Sequence, residues 1–205
     1  MHSIIASGST GNSVVYHNSI MVDCGIPFNL LTRIINNLQL VLLTHKHSDH
    51  LNLSTIKKLA FERPSLRFGC CEWMVEHLEG IKNVDVYEIG KIYDYGQFQI
   101  SPVKLYHDVE NCGYRIFKDG TKIFHATDTC TLDGISAKEY DLYALEHNYD
   151  EETVWDNIKA IEDSGGFAHQ RGAINSHLSE QQAKEFFFRN MKESSKLIRL
   201  HEHHE

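Results

Sequence analysis

Seven residues constrain this chain more than any others: Thr44-His45-Lys46-His47-Ser48-Asp49-His50. They follow the apolar run Val41-Leu42-Leu43, within the span Leu40 to Thr44 that reads as a strand. An apolar run ending in a polar cluster suits a buried strand that delivers its end to a site. Three imidazoles and a carboxylate at this spacing are the side chains that zinc and its first-row neighbours take. In an extended segment His45, His47 and Asp49 point to one side, and His50 turns with the start of the next helix. Four ligands this close are too many for one catalytic ion with an open position. Two ions sharing further ligands from elsewhere are expected instead. A merely solvated histidine-rich loop would not explain the placement at a strand end. The whole chain is rich in the same side chain, with 14 histidines among 205 residues.

The remaining pattern is strands alternating with helices, which predicts an α/β layered fold. Ser13 to Tyr16 and Ile20 to Asp23 read as a hairpin around Asn18-Ser19. Phe28 to Leu38 has helical spacing, with Leu30, Leu31, Ile34, Ile35 and Leu38 apolar, and predicts an amphipathic helix. Leu53 to Phe61 predicts a second helix capped by Ser54. Asp119-Gly120 between apolar runs predicts a tight hairpin, because both central residues of a type I′ turn need positive φ. Leu142 to Leu145 reads as a strand, Glu151 to Ile161 as a helix, and Lys196 to Leu200 as the last strand. Ser179-Glu180-Gln181-Gln182 has the form of a capping box opening a helix toward Asn190. With no repeat and no linker-like segment, residues 1–205 read as one domain.

Charge and cysteines narrow the function. The net charge of −8 disfavours gripping a long nucleic acid by bulk electrostatics. No apolar run reaches the roughly 20 residues that span a bilayer, so no membrane partner is expected. The N-terminal residues lack the form of a signal peptide. Five cysteines, an odd number without Cys-x-x-Cys, argue against a disulfide framework and for a reducing cytoplasm.

The motif His45-x-His47-x-Asp49-His50, preceded by Val22-Asp23-Cys24-Gly25, resembles the metallo-β-lactamase superfamily. Ala6-Ser7-Gly8-Ser9-Thr10-Gly11-Asn12-Ser13 is similar to the opening of WalJ-type exonucleases and, more distantly, of ribonuclease Z. The resemblance implies an α/β fold, the αββα four-layer sandwich, with a binuclear metal site. It places His107 and Asp128 among the ligands and gives Asp23 the part of orienting the ligand loop. Leu197-Ile198-Arg199-Leu200-His201 resembles the final strand with its terminal ligand, so His201 is chosen ahead of His203. His45, His47 and His107 would hold one ion, Asp49, His50 and His201 the other, with Asp128 bridging.

Leu145-Glu146 and Asn175-Ser176-His177-Leu178-Ser179 resemble the acidic and histidine elements of the nuclease branch. By that resemblance His177, paired with Glu146, protonates the leaving oxygen while a metal-activated hydroxide attacks, and Asp49 serves that hydroxide. The expected cofactors are two divalent ions, zinc first and manganese as the alternative. The expected substrate is a nucleic-acid end or a small nucleotide, cyclic nucleotides included, with Lys46, Lys104 and Arg171 as candidate phosphate contacts. A homodimer is compatible with the sequence. The competing functions are a thioester or lactone hydrolase on the same fold, and a nucleotide-binding module without turnover.

Overall fold

Two residues with positive φ, His17 at 49° and Asn18 at 55°, turn the chain back between its second and third strands. The turn sits one residue earlier than the Asn18-Ser19 pair suggests. In this computed structural model, which describes residues 1–165 and 170–201, the chain forms two compact units, the second beginning at Asp94.

The first unit is built on a six-stranded sheet. Its strands are β1 (His2–Ala6), β2 (Ser13–Tyr16), β3 (Ile20–Val22) and β4 (Leu40–Leu42), then, after helix α1 (Leu53–Glu62), β5 (Arg67–Cys71) and β6 (Val84–Tyr87), hydrogen-bonded in that order. β1 to β3 pair antiparallel and β3 to β6 parallel. Val15, Met21, Val41, Leu43 and Phe68 pack with Ile56 and Leu59 of α1 in one buried cluster. Burying such side chains contributes roughly 1.5–3 kcal/mol each.

Residues 28–38 correct the expected helix. They form two 3₁₀ turns, Phe28–Leu31 and Ile35–Asn37. The apolar stripe still works, since Leu31, Ile35 and Leu38 are buried. Asn29, Thr32, Asn36 and Asn37 are weak α-helix formers, since such side chains compete for backbone hydrogen bonds. Thr32 Oγ1 donates to the Asn29 carbonyl at 3.1 Å. The cap of α1 is also corrected: Asn52, not Ser54, accepts from Thr55 N at 3.1 Å, and Ser54 Oγ donates to the Asn52 side chain.

The second sheet contains β7 (Tyr93–Asp94), β8 (Phe98–Tyr106), β9 (Glu110–Lys118), β10 (Thr121–Ala126) and β11 (Leu142–Glu146). It continues, after α2 (Val154–Asp163), α3 (Gln170–Ser176) and α4 (Glu180–Asn190), with β12 (Lys196–Leu200). The order is β12-β11-β10-β9-β8-β7. Asp119 and Gly120 have φ of 52° and 71°, as the hairpin between β9 and β10 requires. α4 opens with the capping box at Ser179 and Gln182. α2 starts three residues later than Glu151, because the Asp150 carboxylate accepts from Glu152 N and Thr153 N and holds a turn there. Phe124, Tyr143, Leu145 and Phe186 anchor this unit's core. The five cysteines form no disulfide.

Topology gathers the chemistry of this unit. β9 is antiparallel to both β8 and β10, and β10, β11 and β12 are mutually parallel. β8, β10, β11 and β12 therefore all end at the same edge of the sheet. His107 follows β8, Asp128 lies two residues past β10, Glu146 ends β11 and His201 follows β12.

Candidate metal centre

In the first unit the ligand-rich loop is stitched down on two sides. Asn12 N donates to Asp49 O at 2.6 Å, Cys24 N to His50 O at 2.9 Å and Asn52 N to Cys24 O at 2.8 Å. Gly25 makes this approach sterically allowed, since a Cβ there would sit 1.7 Å from Asp49 O. The alternation expected of an extended segment holds only from His45 to His47, where Nε2 and Nδ1 lie 3.1 Å apart. Residues 48–50 form a turn, with His50 N donating to His47 O at 2.9 Å. Asp49 is consequently directed to the Asn12 amide, 3.1 Å from its Oδ2, and lies 3.4 Å from His50 Nε2.

Asp23 organises both buried histidines of this loop. Its Oδ2 accepts from His50 Nδ1 at 2.7 Å, and its Oδ1 accepts from Thr44 N at 3.0 Å. The Thr44 hydroxyl donates to the same carboxylate at 2.9 Å, so its oxygen accepts from His45 Nδ1, also 2.9 Å away. His45 and His50 are thus both fixed with the proton on Nδ1 and the lone pair on Nε2, the state that binds metal. Burial raises the Asp23 carboxyl above its ordinary range, with His50 and Thr44 pulling the other way.

In the second unit Asp128 is the hub. Its Oδ1 lies 3.6 Å from His177 Nδ1, 3.6 Å from His201 Nε2 and 4.0 Å from His107 Nε2. Asp128 and His201 take positive φ, 56° and 52°. Such backbone states in non-glycine residues concentrate at functional sites. Glu146 is fully buried, and its Oε1 is hydrogen-bonded by His177 Nδ1 and lies 3.4 Å from His201 Nδ1. Its Oε2 accepts from Thr129 N and Leu178 N, each at 3.2 Å. Burial works to raise the Glu146 carboxyl, but His177 and His201 bring it below its usual range. Burial works to lower the His177 imidazole, and the Glu146 contact outweighs it and raises it.

These residues suit a divalent ion by donor chemistry. Asp128, Glu146, His177 and His201 each offer an atom, all within 4.8 Å of one another. His177 and Glu146 are hydrogen-bonded to each other, so Asp128 and His201 are the carboxylate and imidazole left to face zinc or manganese. His107 sits at the same edge: its Nδ1 donates to Ser176 O at 2.8 Å, and its Nε2 lies 3.0 Å from Asp108 Oδ1 and 4.0 Å from Asp128 Oδ1. Burial lowers this imidazole below its ordinary value, with Asp128 and the Ser176 carbonyl pulling the other way. His203 lies outside the described residues.

Residues 18–154 match a family described as the Beta-lactamase superfamily domain. The chain belongs to the metallo-β-lactamase superfamily. Its relatives include exodeoxyribonuclease WalJ of Streptococcus pneumoniae, 28% identical over 97% of this chain and 80% of its own length. Among solved structures, the metallo-β-lactamase fold protein YhfI from Bacillus subtilis superposes with a TM-score of 0.73 at 19% identity, covering 100% of this chain and 86% of its own. The short form of human tRNase Z gives 0.66 at 16% identity, over 98% of this chain and 92% of its own. The fold is accordingly the α/β fold of the metallo-β-lactamases, and the chain is a metal-dependent hydrolase.

Two residues of this metallo-β-lactamase site were given no role from the sequence. Asn12 bonds Asp49 and His50, and Thr44 links Asp23 to His45. Both lie inside segments whose likeness to the family is legible, so position rather than composition was the available signal. Two candidate phosphate contacts are engaged elsewhere: Lys104 with Glu110, and Arg171 in a fork on Glu162 at 2.8–3.0 Å. Lys46 is exposed between His45 and His47. No helix among the described residues is long and apolar enough to cross a membrane.

Proposed function

We propose that this hydrolase is a metal-dependent phosphodiesterase of the nuclease branch, acting on a nucleic-acid end, and that residues 1–205 work as one metallo-β-lactamase domain. The observation that carries the reading is the hydrogen bond between His177 and the fully buried Glu146. Glu146 accepts the hydrogen bond from His177 Nδ1 and so orients the ring. The proton given to the leaving oxygen is then the one on His177 Nε2. Proton donation of this kind contributes typically 10²–10⁴-fold. A thioester or β-lactam, whose leaving group departs more readily, has less need of it.

His45, His47 and His107 would hold one divalent ion and Asp49, His50 and His201 the other, with Asp128 shared. When bound, such ions supply an activated water at neutral pH and neutralise charge on a phosphoryl group. Asp23 and Thr44 keep His45 and His50 in their ligating tautomers, and Asn12 holds Asp49. Zinc is our choice of ion and manganese the alternative. The exodeoxyribonuclease name of the WalJ relative supports DNA as the polymer. The net charge of −8 supports contact with an end rather than a long duplex. We place the enzyme in the cytoplasm, where five unbridged cysteines stay reduced.

The test is a substrate panel with zinc or manganese: single-stranded DNA, RNA, cyclic mono- and dinucleotides, a thioester and a lactone. Release of nucleotides from DNA ends is expected, with no turnover by a folded Asp49→Ala variant. Faster cleavage of the thioester or lactone would overturn the reading. A cyclic nucleotide as best substrate would keep the chemistry and replace DNA.

A further inference from the structure

Asn111 has no part in the proposed chemistry, yet it touches the hub of the second unit. It is fully buried in β9, opposite Leu105 of β8. Its side-chain amide donates to two successive carbonyls, Thr127 O at 3.0 Å and Asp128 O at 2.6 Å. These carbonyls belong to the peptide planes before and after the Asp128 Cα. Holding both planes fixes both backbone dihedrals of Asp128.

Asp128 needs such a restraint. Its φ of 56° is in the left-handed region, which side chains with a Cβ enter at an energetic cost. The neighbouring loop is tied at other points, with Thr129 Oγ1 accepting from Tyr106 N at 3.0 Å and Cys130 N donating to Tyr106 O at 2.8 Å. Those contacts hold the loop to β8, whereas the Asn111 amide acts on the residue whose carboxylate faces His107, His177 and His201. Asn111 Oδ1 makes no hydrogen bond among the described residues. A buried acceptor without a partner destabilises a fold. An amide kept there under that penalty points to the work of its N–H groups.

We propose that Asn111 is the positioning residue of Asp128: its amide locks the left-handed backbone that aims the carboxylate, and so sets how tightly a divalent ion is held there. The proposal rests on the metal reading above. It acts through the backbone of one ligand, and no contact of Asn111 with substrate or ion is involved.

The test uses the full chain stripped with a chelator and titrated with cobalt(II), read by visible absorption and calorimetry. Wild type is expected to take two ions. Asn111→Leu, close in size but without donors, should bind one of them about 10–100-fold more weakly, the range seen when groups behind metal ligands are lost. The melting temperature of the stripped protein should change little. The decisive comparison is made in an Asp128→Asn background, where Asn111→Leu should cause no further loss, because residues acting as one unit are non-additive. Wild-type cobalt binding by Asn111→Leu, or a loss that multiplies fully with Asp128→Asn, overturns the proposal. Asn111→Ser replaces the leucine variant if that one does not fold. If neither folds, Asn111 is a core residue and the proposal falls. Wild type that takes up no cobalt removes the metal reading itself, an outcome distinct from both.

Discussion

Asp23 acts on two histidines at once, directly on His50 and through the Thr44 hydroxyl on His45. Removing the hydroxyl alone should therefore free one ring and leave the other fixed. We expect Thr44→Val, nearly isosteric, to weaken zinc binding about 10–100-fold while His50 stays held. Competition with a chromophoric chelator measures this, and an unchanged zinc affinity would show that the hydroxyl orients nothing. His177 offers a sharper division of roles. His177→Ala should slow cleavage of a DNA phosphodiester by about 10²–10⁴-fold, since proton donation to a poor leaving group is lost. With a nitrophenyl phosphodiester the loss should shrink, because that leaving group departs without a proton. Equal losses on both substrates would point to binding or structure, and a lost ion would make His177 a ligand.

At the scale of elements, stretches whose local chemistry agrees with their surroundings were legible in the sequence. Asp119-Gly120 and Ser179 with Gln182 demand one backbone each, and each has it. The helix expected over 28–38 failed because periodicity reports which residues are buried, not which helix buries them. Leu31, Ile35 and Leu38 serve a 3₁₀ turn as well as an α-turn. The strands β5, β6 and β8 had no turn signals sharp enough to place them. The ligand loop was legible because its residue types are rare together, but the side-chain roles of Asn12 and Asn111 were not, because asparagine is common in turns and strand ends alike.

Asp141 was equally silent, yet it joins three strands of the second sheet. Its N donates to Lys122 O at 2.9 Å, its carboxylate accepts from Lys122 N at 2.8 Å, and Lys196 N donates to its carbonyl at 2.9 Å. Lys192 Nζ lies 2.5 Å from the same carboxylate. Burial works to raise this carboxyl, but Lys192 and the Lys122 amide hold it below its ordinary value. A depressed folded pKa means stability that is present above the unfolded value of about 3.9 and lost as pH falls through the folded one. Asp141→Asn should accordingly melt lower than wild type at pH 7, by an amount near the 0–1 kcal/mol of exposed pairs. The difference should close as the pH falls below about 3.9. Equal gaps across the pH series would assign the effect to the backbone and not to the charge.

The whole molecule divides its proposed ligands between two sheets, with His45, His47, Asp49 and His50 after β4 and His107, Asp128 and His201 after β8, β10 and β12. In each unit the proposed ligands lie beyond the carboxyl ends of parallel strands, where loops are free to carry polar groups without breaking a ladder. Seven proposed ligands are more than one ion would use, so the chain is expected to hold about two divalent ions per molecule after refilling with zinc or manganese. Elemental analysis of the purified chain measures that number. Ions that bind the folded chain and not the unfolded one also stabilise it, by about 2.7 kcal/mol at a free concentration a hundredfold above the dissociation constant. For a chain of this size each kcal/mol is worth roughly 2–4 °C of melting temperature. Chelation should therefore lower the melting temperature by several degrees, and zinc should restore it. In Asp49→Ala, with one ion's ligand gone, both the metal content and the chelator-sensitive part of the melting temperature should fall. A firm value of one ion in wild type, with the same melting shift in Asp49→Ala, would sink the binuclear assignment and leave a single centre built without Asp49.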